Sequence, residues 1–249
     1  MRIALGVSYR GLMYQGWQSQ PSGNTVQDKL ESALGEFAGE RLRTLCAGRT
    51  DAGVHALNQV VHFDTEVQRE PASWVRGTNR YLPRDIAVQW CRVVGPQFHC
   101  RASARGRRYT YLLLESPVRP ALESGQVGWS FRPLDACAMR AAAQHLIGEH
   151  DFSVFRSAQC QAKSPIKTLD LAAVRREGDE VLVDFASRSF LHRQVRSMVG
   201  SLVEVGVGRW TKADLAAALA AKDRTACGPV APADGLYLTG VSYAENLSK

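Results

Sequence analysis

The sequence predicts an α+β fold of two halves, each a mainly antiparallel sheet with helices on one side. Short apolar-rich segments such as residues 3–9, with a rough two-residue alternation, and 86–94 predict strands. Residues 26–37 and 211–221 instead carry apolar side chains at helical spacing. Residues 100–108, CRASARGRR, have neither period and divide the chain. The expected halves are therefore residues 1–103 and 104–249.

Taken in order, residues 3–9 predict a strand, followed by the turn-forming stretch GLMYQGWQSQPSGN. Asn24 or Thr25 then caps a helix whose Val26, Leu30, Ala33, Leu34 and Phe37 share one face. Strands are expected over 43–47 and 59–64, a helix over 73–81 stopped before Pro83, and a strand over 86–94 with Trp90 in the core. In the second half the pattern predicts a strand over 109–114 and a helix from Asp135 through Ile147. A hairpin follows about Gly178, from strands 169–175 and 181–187. A long helix over 191–205 places His192, Arg193 and Arg196 in its first two turns, where main-chain N–H groups favour phosphate. An amphipathic helix over 211–221 and a strand over 236–243 complete the chain.

Composition narrows the classes of function. With 249 residues, 45% hydrophobic and 22% charged, the chain has the make-up of a folded globular protein. Its formal charge of +7 and pI near 9.3 favour a polyanionic partner, and an excess of arginine over lysine tilts that partner towards nucleic acid. The six cysteines, Cys46, Cys91, Cys100, Cys137, Cys160 and Cys227, form no C-x-x-C pair, which argues against a zinc site. No leader-like start and no run of 18 apolar residues occurs, so a reducing cytoplasm and no membrane are expected. Gly206 and Gly208 lack the third glycine and the preceding strand of a dinucleotide fingerprint, and no Walker loop, H-E-x-x-H or G-x-S-x-G is present.

One acid stands in a setting that core packing does not explain. Asp51 lies in CAGRTDAGVHALNQVVHF, bracketed by Gly48 and Gly53, with Arg49 and Thr50 before it and His55 after. Glycines at that spacing predict a tight loop between two strands. Taken alone, an aspartate between glycines most often makes an Asx-turn or caps a helix. Arg101, Arg105, Arg107 and Arg108, interleaved with Tyr109 and Tyr111, read either as a solvated surface or as a nucleic-acid track.

The string AGRTDAGVHA followed by QVVHF resembles the signature of the tRNA pseudouridine synthase A family. The resemblance extends through YRGLMYQGWQSQPSGNTVQDKLESAL, RRYTYLL, FLHRQVRSMVGSLVEVG and DGLYLTGVSY, nearly the whole chain. It implies the pseudouridine synthase fold with a catalytic cleft between the two halves, and a homodimer that shares tRNA. The implied substrate is the uridine at positions 38, 39 and 40 of the anticodon stem-loop, read by shape and backbone more than by base sequence. The implied nucleophile is Asp51, with Arg196 as the counter-charge that keeps a carboxylate ionised and Tyr109 as the pocket ring that stacks on uracil. Arg49 is implied to fill the space left by the extruded base, and Arg105 and Arg107 are expected to contact phosphates. The reaction breaks N1–C1′, turns the uracil and joins C5 to C1′, so atoms are conserved and neither cofactor nor metal is required.

Three other readings are carried. The first is a pseudouridine synthase acting on other RNA. The second is a non-catalytic RNA-binding module, whose binding would be indifferent to Asp51. The third, a nucleoside hydrolase, would require two carboxylates across the bond, and the motif supplies one.

Overall fold

Alternation in RIALGVSY builds β1 (Arg2–Tyr9), whose residues are almost all buried because strands flank it on both sides. In the computed structural model, which describes residues 1–244 and 247, the chain falls into two units. The first comprises Met1–Arg107 together with the C-terminal segment from Tyr237, and the second is Arg108–Leu236. No described helix is long and apolar enough to cross a membrane.

In the first unit β1 pairs antiparallel with β3 (His55–Asp64) on one side and β4 (Ile86–Val94) on the other. The two-residue β2 (Leu45–Cys46) also pairs with β3. Helix α1 (Val26–Ala38) is capped by Thr25, whose hydroxyl accepts the Asp28 N–H, and stops at Gly39 with φ +78°. Helix α2 (Pro71–Tyr81) lies beside it. Phe37 and Phe63 each meet Trp74 edge-on at 5.3 Å, and Gly77 leaves room for the Phe37 ring.

The sheet of the second unit runs β5 (Gly106–Glu115), β9 (Glu180–Ser187), β8 (Ile166–Glu177) and β7 (Gly148–Asp151), with β6 (Gly128–Ser130) parallel beside β5. The hairpin of β8 and β9 turns at Gly178, where φ is +61°. Helices α3 (Ala136–Ala143), α4 (Gln194–Gly206) and α5 (Lys212–Ala221) pack together, and Gly206 admits Met139 between the first two.

The structure departs from the sequence expectation in several places, one of them the helix expected through Ile147, which ends at Ala143 and gives way to a 3-10 turn at Gln144–Leu146. The closing strand β10 (Leu236–Ser242), expected with the second half, runs parallel to β3 with Tyr237 opposite His55 and Leu238 opposite Ala56. A parallel pairing across so many residues leaves no mark in local periodicity. Strand β3 begins at His55 rather than Gln59, because the polar His55 and Gln59 are both buried and hydrogen-bonded. Helix α4 starts at Gln194, so His192 and Arg193 precede it. Arg193 sits at φ +62°, and the Gln194 side chain turns back to accept the Leu191 N–H at 2.8 Å.

Candidate active site

The loop that carries Asp51 is fastened by hydrogen bonds on both sides of the acid. Gln59, fully buried, exchanges two hydrogen bonds with Gly48, donating to its carbonyl at 2.5 Å and accepting its N–H at 3.3 Å. Tyr9 and Thr50 share a buried hydroxyl–hydroxyl bond of 2.8 Å, and the Thr50 carbonyl accepts the Trp17 N–H at 3.0 Å. Val54 N–H closes a turn onto the Asp51 carbonyl at 3.2 Å, with Gly53 at φ +81° supplying the conformation that turn needs. Of the two bracketing glycines only Gly53 is required for its φ. Asp51 itself is half-buried and Arg49 is exposed.

A second segment, residues 10–17, lies against that loop. A Cβ at Gly11 would stand 1.9 Å from the Val54 carbonyl oxygen, and one at Gly16, where φ is +87°, would stand 2.7 Å from that of Thr50. The Gly11 N–H donates to Nδ1 of the buried His55 at 3.0 Å, and the His55 ring stacks on Tyr237 at 4.6 Å. Local sequence predicts this stretch as turn-forming. Its two glycines permit main chain to touch main chain behind a carboxylate, a use that glycine spacing alone does not announce.

In the second unit Tyr109, on β5, is buried and meets Phe190 edge-on at 5.2 Å. Phe190 was not singled out from sequence, because one aromatic before a helix carries no signal. Arg196 lies in the first turn of α4, half-buried, and its Nε donates to the Ala231 carbonyl at 2.8 Å while Ala231 N–H returns to the Arg196 carbonyl at 3.1 Å. The same segment is held at Pro232, whose carbonyl accepts the Tyr111 hydroxyl at 2.9 Å. Gly200 lets the Pro229 carbonyl reach the helix backbone, since a Cβ there would stand 1.6 Å from that oxygen. The arginine therefore has one guanidinium nitrogen fixed to main chain, which orients the rest of the fork.

The chain as a whole matches a known family over most of its length. A family model described as tRNA pseudouridine synthase matches residues 6–101 and 142–244. This chain belongs to the tRNA pseudouridine synthase family. Relatives named tRNA pseudouridine synthase A agree along nearly the full length. That of Methylibium petroleiphilum is 63% identical over 247 residues, covering 99% of this chain and 95% of the relative. That of Albidiferax ferrireducens is 57% identical over 244 residues, covering 98% and 94%. Among solved structures, a chain from the crystal structure of a Cbf5-Nop10-Gar1 complex aligns with a TM-score of 0.37 and 13% identity over 81% of this chain and 45% of that one, too distant to carry an argument.

Within this family member the arginine-dense stretch divides in its duties. Arg105 is exposed, with its main-chain N–H held by the Ser242 carbonyl at 2.8 Å. Arg107, expected beside it as a phosphate contact, is buried. Its guanidinium donates to the carbonyls of Ala47 at 2.8 Å and Arg101 at 2.9 Å, tying the strand before the Asp51 loop to the CRASARGRR stretch. The reason is strand alternation, which turns Arg107, Tyr109, Tyr111 and Leu113 to the buried face of β5. Arg107→Ala strands those carbonyls and should destabilise the protein by about 1–3 kcal/mol. A lower urea midpoint with an unaltered salt dependence of tRNA binding is the expected result.

His62, His99 and Cys100 bring their ligand atoms within 4.8 Å of one another. Their chemistry does not suit a cation. The Nδ1 of His62 accepts the Cys100 N–H at 3.4 Å, and that of His99 accepts the Arg101 and Ala102 N–H groups at 3.2 Å, so in the neutral rings the protons sit on Nε2. The Cys100 thiol donates to the Leu45 carbonyl, and burial pushes its pKa up to about 12.

Proposed function

We propose that this chain isomerises uridine to pseudouridine at positions 38, 39 and 40 of the tRNA anticodon stem-loop, with Asp51 as the nucleophile. Isomerisation of uridine in tRNA is the activity of the family to which the chain belongs. One observation carries the residue-level reading. Asp51 is a half-buried acid on a loop whose flanking main chain is pinned by Tyr9, Trp17, Gln59 and Arg107. A carboxylate that must approach one atom of a nucleotide gains most from such fixing, because orientation is a large part of the barrier.

In this proposal Tyr109 stacks on the detached uracil and Arg196 is the nucleophile's counter-charge. The partner of the enzyme is tRNA, the acting species a homodimer in the cytoplasm. Joining C5 to C1′ expels the proton at C5. Transcripts carrying tritium at C5 of uridine should accordingly lose label to water when incubated with the protein, and retention of the label would refute the proposal.

Arg49 is assigned the space that the flipped uridine vacates, since it is exposed and two residues from Asp51. Arg49→Ala should be far slower than wild type on a paired target. On a stem-loop with a mismatch opposite the target the defect should shrink, because unpairing has been done in advance. Equal single-turnover losses on both substrates at saturating enzyme would instead make Arg49 an electrostatic partner of Asp51.

A further inference from the structure

Helix α2 carries a row of arginines that the fold does not use. Its inward face buries Trp74 and Thr78 completely. On the other side Ala72, Arg76 and Arg80 are exposed at successive i, i+4 positions, each step advancing about 6 Å along one stripe. Arg84, also exposed, follows just past the end of the helix, where the backbone is extended at Leu82, and Tyr81 is 49% exposed there. Among the described residues none of these three guanidinium groups has a hydrogen-bond or ion-pair partner. Cations four residues apart repel, so the row works against the helix. The helix dipole accounts for Arg80 in the last turn but not for Arg76 or Arg84.

The end of the row meets the segment that backs the catalytic loop, and every residue involved lies in the first unit. Asp85, the acid next to Arg84, accepts the Tyr14 hydroxyl at 2.6 Å through its carboxylate and the Arg10 N–H at 2.9 Å through its carbonyl. Gly11 and Gly16 of that same segment touch Val54 and Thr50. The acid that follows Arg84 is therefore engaged elsewhere, and it holds the segment that packs against the turn carrying Asp51.

We infer that Arg76, Arg80 and Arg84 bind phosphates of the substrate tRNA, with the Tyr81 ring as a stacking surface, so that α2 forms an RNA track leading to the catalytic loop. The guanidinium fork suits phosphate, and a regularly spaced row suits a regularly charged backbone. The inference rests on the tRNA reading above. Its test is equilibrium binding of an unmodified tRNA transcript by filter retention over a range of salt. Replacing Arg76, Arg80 and Arg84 together by Gln should weaken binding about tenfold or more and reduce the slope of log affinity against log salt by about two to three. Lysine at the same three positions should keep the slope to within about half a unit, since charge is what phosphate requires. An unchanged slope in the Gln variant overturns the track. So does an equal loss per charge from Lys212→Gln with Lys222→Gln, exposed lysines at the two ends of α5. Wild type that binds with the stripe-dependent slope yet forms no pseudouridine would sink the proposed function and leave the track standing. Active wild type with a Gln variant that binds normally would do the reverse.

Discussion

Asp51→Asn is expected to abolish pseudouridine formation while leaving tRNA affinity within a few-fold of wild type. The amide is nearly isosteric, so it introduces no clash into a loop already pinned by Gln59, Tyr9 and Trp17. It has no anionic oxygen with which to attack a nucleotide. Residual activity should fall below about 1%, which corresponds to more than about 2.7 kcal/mol of barrier. Binding should survive because a single carboxylate contributes little to a phosphate-dominated contact. Activity above that level would remove Asp51 from the nucleophile's role. Loss of binding in parallel with activity would make it a structural residue instead.

Gly11→Ala should have the next largest effect, although Gly11 touches no reacting atom. The added methyl would stand 1.9 Å from the Val54 oxygen and 2.5 Å from its carbon, and both are main-chain atoms of the turn that closes on Asp51. A side chain could rotate away; a peptide plane must move. Displacement near 1 Å at a catalytic group costs about a hundredfold in rate, so the single-turnover rate at saturating enzyme should drop by that order. Affinity for tRNA should change far less. Gly23→Ala is the matched control. Its φ of +65° makes alanine strained, but a Cβ there has nothing within 4 Å. Gly23→Ala should therefore lower thermal stability by about 1 kcal/mol and spare the rate. Equal rate losses in the two variants would show that general destabilisation, not displacement of the turn, is responsible.

Local signals in the sequence place several of the locally organised elements. Thr25 followed by Asp28, with apolar residues at helical spacing, located α1, and the apolar-rich run from Ile86 to Val94 located β4 at its observed limits. Thr211 likewise caps α5, with Asp214 completing the capping box. Legibility failed where distant main chain decides the outcome. The start of α4 depends on Arg193 adopting φ +62°, a conformation unfavourable for arginine that no composition rule predicts. The parallel placement of β10 beside β3 and the contact of Gly11 with Val54 are both long-range.

The candidate site divides along the same line. Asp51 and Arg49 were legible because a glycine-bracketed acid is conspicuous in the chain, and the matching family string gave the acid its implied role. Arg107 reads like its exposed neighbours because arginines in a polar run look alike until strand alternation assigns each to a face. The arginines of α2 passed unremarked for the opposite reason. They are scattered along the sequence and line up only once the helix is formed.

The central claim is that this chain makes pseudouridine at defined positions of tRNA. Its most direct test is to incubate unmodified tRNA transcripts with the protein and map pseudouridine by carbodiimide labelling and primer extension. The account predicts stops attributable to positions 38, 39 and 40, and none with Asp51→Asn. Modification confined to other positions, or none with the wild-type protein, would contradict it.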